Sequence, residues 1–249
     1  MSPEIGGVDP VRPVALVTGA AGGIGTAVVA RMLDAGCAVV ASDLGLADLP
    51  CATARPFAAV PADVTRESDV KALVDTTLER FGRLDRVVHL AGATGRGPID
   101  AVSLEEWQRL LDVNLTSAFL LARACHPALA ESRGVLVLTA STNALQGGSA
   151  LSGPAYAVAK AGVINLTRYL AKEWASEAVR VVCVAPGPVD TPMLGRFEST
   201  TRESLRAAIP LGRFATANDI AGIIEVLGGR DASYLTGIVH NASGGLVLD

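Results

Sequence analysis

The feature that most constrains this chain is a short apolar run that enters a glycine-rich turn and leaves it as a helix. Val14-Ala15-Leu16-Val17 is apolar, partly β-branched and free of charge, the pattern of a strand buried on both faces. It leads into Thr18-Gly19-Ala20-Ala21-Gly22-Gly23-Ile24-Gly25, and a helix-like stretch, Thr26 to Leu33, follows. Glycines at 19, 23 and 25 let the backbone turn tightly, and the helix behind them offers unpaired N–H groups and a positive dipole end to an anion. Strand, turn and helix in that order read as a site where the chain approaches a pyrophosphate. The spacing departs from G-x-G-x-x-G, itself a weak match alone, so the reading needs support from the rest of the chain.

Support comes from the next strand and from a distant pair. The run Cys37 to Ser42 ends at Asp43, eighteen residues beyond Gly25, where a carboxylate accepts hydrogen bonds from an adenosine ribose. Asp43 would repel a 2′-phosphate, and neither Leu44 nor Gly22 brings a cation to neutralise one, which points to NAD rather than NADP. Tyr156 and Lys160 are four residues apart, the spacing that stacks two side chains on one helix face. A free tyrosine has a pKa of about 10, so a phenol acting as a base needs a neighbouring positive charge.

With these residues in view, the chain resembles the short-chain dehydrogenase/reductase family, on the 3-oxoacyl-carrier-protein-reductase-like branch, from about Pro13 to Leu248. Thr18-Gly19-x-x-x-Gly23-Ile24-Gly25 resembles its cofactor turn, Asp63-Val64 its adenine-side acid, Asn114 its helix asparagine and Tyr156-x-x-x-Lys160 its catalytic pair. Ala91-Gly92 follows the fourth strand as in the family, and Pro186-Gly187-Pro188-Val189-Asp190-Thr191-Pro192-Met193 is similar to its nicotinamide-side loop. Pro210-Leu211-Gly212-Arg213 and Asn241-Ala242-Ser243-Gly244-Gly245 resemble its C-terminal signatures. The resemblance places the catalytic serine at Ser141. Two departures stand out. His89-Leu90 replaces the usual Asn-Asn, so Leu90 cannot make the asparagine's bracing hydrogen bonds, and His89 reads as a satisfied core histidine. Ser141 lies fifteen residues before Tyr156, a longer gap than usual, which opens its role to Thr142 or Asn143.

The 249 residues alternate apolar strands with helical segments, as one α/β domain does: a Rossmann fold, a doubly wound parallel sheet of about seven strands with helices on both faces. Strands are expected near 13–18, 37–42, 57–61, 85–91, 134–140, 179–185 and 237–241. The sequence Ser103-Leu104-Glu105-Glu106 resembles a capping box opening a long helix with Asn114, Pro154 suits the first turn of the helix with Tyr156, and 44–56 reads as irregular. The uncharged stretch 134–159 reads as a strand plus a loop, since its glycines, serines and proline would break a membrane-spanning helix. Met1 to Arg12 lacks the charge pattern of a signal peptide, so a cytoplasmic location is expected. Cys37, Cys51, Cys125 and Cys183 have no C-x-x-C spacing and read as neither a disulfide nor a metal set. A net charge of −4 without a basic cluster argues against nucleic acid.

The resemblance implies a mechanism. Tyr156 exchanges a proton with a secondary alcohol while hydride passes to NAD; Ser141 holds the reacting oxygen, Lys160 lowers the tyrosine pKa and binds the ribose, and Asn114 holds a linking water. The cofactor contacts it implies are Thr18, Gly19, Gly22, Gly23, Ile24, Gly25, Asp43, Leu44, Asp63, Val64, Ala91, Gly92, Tyr156, Lys160, Pro186, Gly187, Val189 and Thr191. A polar segment over 191–209 reads as a mobile substrate lid. The expected substrate is a small alcohol, a diol or a hydroxysteroid-like molecule. In relatives acting on 3-oxoacyl carrier protein, basic residues dock the carrier; the matching positions here are Ser132 and Glu177, with Arg133 nearby, which lowers that alternative. A non-catalytic NAD-binding regulator ranks lower still, because it would tolerate loss of Tyr156 or Lys160. A homotetramer is expected. The helices at about 103–130 and 154–176 are apolar around more of their circumference than one sheet face covers, with Phe119 and Val163 among the candidate contacts.

Overall fold

The structure, a computed structural model, describes residues 12–46 and 56–248. Seven parallel strands, β1 (Val14–Thr18), β2 (Ala38–Asp43), β3 (Phe57–Pro61), β4 (Arg86–His89), β5 (Val135–Thr139), β6 (Arg180–Pro186) and β7 (Val239–Ala242), lie in the order β3-β2-β1-β4-β5-β6-β7. All seven expected strands are present, within two residues at every end. The central strands read as continuous apolar runs because helices cover both faces.

One face is covered by α1 (Gly23–Asp34) and α9 (Ala217–Gly228), whose Val28, Met32, Ile220 and Ile224 bury against Val17, Val39 and Val137. The other is covered by α2 (Glu67–Phe81), α4 (Ser117–Ser132) and α6 (Pro154–Glu173), with Leu73, Leu121 and Val163 packed on Leu16, Leu136 and Val181. Strand order reverses between β1 and β4, so the helices after these two strands lie on opposite faces. That opens a crevice at the strands' carboxyl ends, the usual ligand site of such sheets.

Four local expectations are corrected. The helix at 103–130 is not continuous: α3 (Leu104–Leu111) passes into a π-helical turn, Asp112–Thr116, before α4. Ser103 caps α3 by accepting the Glu106 N–H (3.1 Å), but the Glu106 carboxylate pairs with Arg109 instead of closing the box. The 134–159 stretch holds a short helix, α5 (Thr142–Gln146), and the start of α6 as well as β5. The helix after the glycine turn begins at Gly23 rather than Thr26. Most of the 44–56 connection, Cys51 and the first eleven residues lie outside the described residues. Cys37, Cys125 and Cys183 are buried and free.

Candidate active site

The glycine turn is shaped by contacts within the chain as much as for a ligand. Gly19 sits at φ 69°, and a Cβ there would fall 2.5 Å from the Ala91 nitrogen; one on Gly25 would fall 2.1 Å from the Gly19 carbonyl oxygen. Gly22, the residue preceding α1, has ordinary φ and caps nothing with a side chain, and no acidic residue occupies the first turn of α1. The N-terminal amides of a twelve-residue helix therefore face the crevice without a side-chain acceptor, which suits a pyrophosphate. Thr191 closes over the same spot, its Cγ2 2.7 Å from where a Gly23 Cβ would stand. Asp43 ends β2 with its carboxylate anchored by two backbone amides, Ala21 N–H (3.0 Å) and Leu44 N–H (2.8 Å). Leu44 itself is exposed. Asp63 accepts from the backbone and hydroxyl of Thr65 (2.9 and 2.6 Å), bonds that hold its carboxyl below the usual range, and Val64 beside it is buried.

Around Gly92, three elements converge. The π-helical turn swings Asn114 inward, fully buried, where its amide donates to Ala93 O (2.8 Å) and Leu110 O (2.9 Å) and its Oδ1 accepts from Ala93 N–H (3.3 Å). From α6, Lys160 donates through Nζ to Thr139 O (2.8 Å) at the end of β5. A Cβ on Gly92 would lie 2.8 Å from Asn114 Oδ1 and 3.4 Å from Lys160 Nζ, so both polar ends border that glycine. Tyr156 lies one turn before Lys160, with Nζ 5.8 Å from its ring centroid. Ser141 stands at the start of α5, where its Oγ accepts from Asn143 N–H (3.2 Å) and Asn143 Nδ2 (3.3 Å). Both donors occupy lone pairs and leave the Ser141 proton free to be donated. Asn143 thus supports Ser141, and Thr142 is buried beside them. Pro186 ends β6, Gly187 N–H bonds to Ala242 O (3.0 Å), and Val189 bridges to Ala215, fixing the loop that leads to Thr191.

Electrostatics here are dominated by burial. Lys160 is pushed down to about 8 by desolvation. Burial raises the Tyr156 phenol, while contact with the Ser141 hydroxyl and the charge of Arg196 pull the other way. That net direction is opposite to the lowering expected from Lys160, whose ammonium is engaged by Thr139 O. His89 is a core histidine: Nδ1 lies 2.7 Å from Thr18 Oγ1 and Nε2 3.0 Å from Ser117 Oγ. Ser117 gives its own proton to Val113 O (2.8 Å), so Nε2 carries the ring proton and Nδ1 accepts from Thr18. The ring thereby ties β1 to the helix start beside Asn114. Leu90, in place of the family's second asparagine, packs into the α1-side core instead.

Two guanidinium groups at the mouth of the site, Arg96 and Arg196, carried no motif and were not singled out from sequence. Arg196 lies between α7 (Pro192–Gly195) and α8 (Ser199–Ala207), the two short helices that the expected lid segment forms.

The match to known proteins is extensive. The family model described as enoyl-(acyl carrier protein) reductase matches residues 19–247. The chain is 38% identical to 4-formylbenzenesulfonate dehydrogenase of Comamonas testosteroni, over 94% of this chain and 97% of that one. It is 35% identical to cis-4-hydroxycyclohexanecarboxylate dehydrogenase of Sinomonas cyclohexanicum, over 93% and 95%. Among solved structures, 3-ketoacyl-(acyl-carrier-protein) reductase from Brucella melitensis complexed with NADH superposes with a TM-score of 0.88 at 30% identity, covering 95% of this chain and 98% of that one. The chain belongs to the short-chain dehydrogenase/reductase family, on the branch resembling 3-oxoacyl-carrier-protein reductases, and is an oxidoreductase acting on CH–OH groups.

Proposed function

We propose that this protein is an NAD-dependent dehydrogenase that interconverts a small secondary alcohol, diol or hydroxysteroid-like substrate and its ketone, with Tyr156 as the general acid/base. The observation that carries this reading is the meeting of Asn114 and Lys160 at Gly92, with the Tyr156 ring beside Lys160 and the Ser141 hydroxyl in contact with its phenol, close to the uncapped start of α1. NAD, when bound, supplies the hydride acceptor. Gly19 and Gly22 to Gly25 with Thr18 would hold its pyrophosphate side. Asp43, Leu44, Asp63 and Val64 would hold the adenosine, and Ala91, Gly92, Lys160, Pro186, Gly187, Val189 and Thr191 the nicotinamide side. Tyr156 takes the hydroxyl proton in oxidation and returns it in reduction, while Ser141 donates to the same oxygen. Segment 191–209 is the substrate lid, anchored by buried Leu194 and Ile209.

A second reading, reduction of 3-oxoacyl groups on a carrier protein, is favoured by the structural neighbour of that name. The expected carrier-docking positions do not favour it. Ser132 spends its hydroxyl on Leu84 O (2.6 Å), and Glu177 presents an acid paired with His126 (2.6 Å). Buried free thiols fit a reducing, cytoplasmic setting. No described helix is long and apolar enough to cross a membrane.

The test is a panel of secondary alcohols, ketones and a 3-oxoacyl thioester, followed by NADH and NADPH absorbance. Turnover of an alcohol–ketone pair with NAD preferred is expected, and Asp43→Ala should erode that preference. Tyr156→Phe should lower turnover by about 10²-fold or more while NADH binding, followed by fluorescence, stays near wild type. Native preference for NADPH, or near-native turnover in Tyr156→Phe, would overturn the reading.

A further inference from the structure

We propose that Arg96 and Arg196 form an anion-binding subsite at the mouth of the Tyr156 pocket, so that the substrate is a secondary alcohol or ketone carrying a carboxylate or sulfonate. This rests on Tyr156 being the reacting centre.

The subsite is built on a ridge of paired backbone. Gly95 N–H donates to Ser152 O (3.1 Å) and Gly97 N–H to Ala150 O (2.7 Å), so residues 95–97 run beside the segment that opens α6. A Cβ on Gly153 would stand 3.0 Å from the Arg96 backbone nitrogen. The Arg96 backbone is therefore held against the residue that precedes α6, so its side chain springs from the chain beside the start of the helix carrying Tyr156, where the dipole of a twenty-residue helix adds field of the same sign. Arg196 reaches the same ridge from the lid: Nη2 donates to Leu151 O (3.0 Å) and, more weakly, to Gly95 O (3.4 Å). Its guanidinium lies over Phe197, 4.8 Å from the ring centroid, which steadies the plane, while among the described residues its hydrogen bonds run only through Nη2.

Neither guanidinium has a carboxylate within ion-pair distance among the described residues. Arg196 is also partly desolvated and repelled by Arg96, and both effects pull its pKa down against the attraction of Tyr156. Two like charges held together without a counter-ion are unfavourable until an anion arrives, and a planar fork with free N–H donors suits a carboxylate or sulfonate. Because Arg196 is clasped to Leu151, on the segment that leads directly into the helix carrying Tyr156, the bound anion would belong to the molecule that reacts there.

The test has two arms. In the first, 3-oxocyclohexanecarboxylate and its neutral carboxamide are compared by kcat/KM in wild type, Arg96→Ala, Arg196→Ala and Arg196→Lys. Wild type should prefer the carboxylate, each alanine variant should cut that ratio roughly 10-fold, and the lysine should keep part of it. Arg96→Ala leaves the lid bonds of Arg196 intact, so it separates loss of charge from loss of the clasp. In the second arm, benzoate and benzamide are titrated calorimetrically into NAD-saturated enzyme. Benzoate should bind more tightly, and the difference should shrink in both alanine variants. An unchanged ratio in the variants, a preference for the carboxamide, or equal binding of benzoate and benzamide would overturn the subsite. Failure to reduce either ketone would count against the reaction assigned to Tyr156, while the binding arm still decides the anion site.

Discussion

His89 couples sheet, helix and acid stability through one ring. Both of its nitrogens are satisfied only when it is neutral, and burial, with the nearby Lys160 charge, pushes its pKa from about 6.5 to about 3. In the unfolded chain the imidazole takes up a proton near pH 6.5, whereas in the fold it does so only near pH 3. Between those values the unfolded state binds more protons, so stability falls as pH falls, by up to about 1.4 kcal/mol per pH unit from this group. Replacing it with asparagine, the residue its relatives commonly carry, should remove that slope. Urea unfolding of wild type and His89→Asn at pH 7.5, 6 and 5 checks this: wild type should lose more stability across the series, and parallel curves would refute the assignment. At this scale Tyr156, Lys160 and Asp43 are singled out by their spacing and Asn114 by family resemblance alone. Arg96 and Arg196 carry no such signal, because 100 residues separate them and only the fold brings Arg196 onto the backbone of Gly95, next to Arg96.

The elements were legible to different depths for the same kind of reason. Strands announced themselves as apolar runs bounded by turns, and Pro154 and Ser103 marked helix starts. The π-helical turn at Asp112–Thr116 left no trace in the pattern, since one extra residue in a turn hardly disturbs helical periodicity over so short a span. Helix α5 is only five residues long, and the glycines around it masked it as a loop. The glycine turn itself holds positions of unlike strictness. Gly19→Ala forces positive φ and a clash with the Ala91 backbone, and Gly25→Ala drives a Cβ into the Gly19 carbonyl, whereas Gly22→Ala meets only that carbonyl oxygen at 3.3 Å with ordinary φ. Thermal unfolding should show Gly19→Ala and Gly25→Ala destabilised by about 2 kcal/mol or more, and Gly22→Ala within about 1 kcal/mol of wild type. Gly22→Ala should still weaken NADH, because its methyl would crowd the mouth of α1. Equal stability of all three variants would mean that the turn relaxes freely.

For the whole molecule, the outer surfaces of the long helices decide the state of assembly. Val163, one of the residues expected at a contact between subunits, is buried in the core of its own chain, so charging it would unfold the monomer rather than probe an interface. Phe119 on α4 and Val158 and Tyr169 on α6 point the other way, 46%, 50% and 62% exposed, and the sheet cannot cover them because it already packs the opposite faces of both helices. Phe119 is partly shielded by Arg123, whose guanidinium lies 5.1 Å from the ring centroid. Exposed apolar groups on the outer faces of both helices are surface that association would dry. We propose that this face joins two copies of the chain and that the working form is a homotetramer. Sedimentation equilibrium at micromolar concentration should return a mass well above the 25.5 kDa of one chain. Phe119→Glu and Val158→Glu should each lower that mass while leaving the far-ultraviolet circular dichroism of the fold intact. A fully active 25.5 kDa monomer would rule the assembly out, and an oligomer untouched by either charge would place its interface on another face.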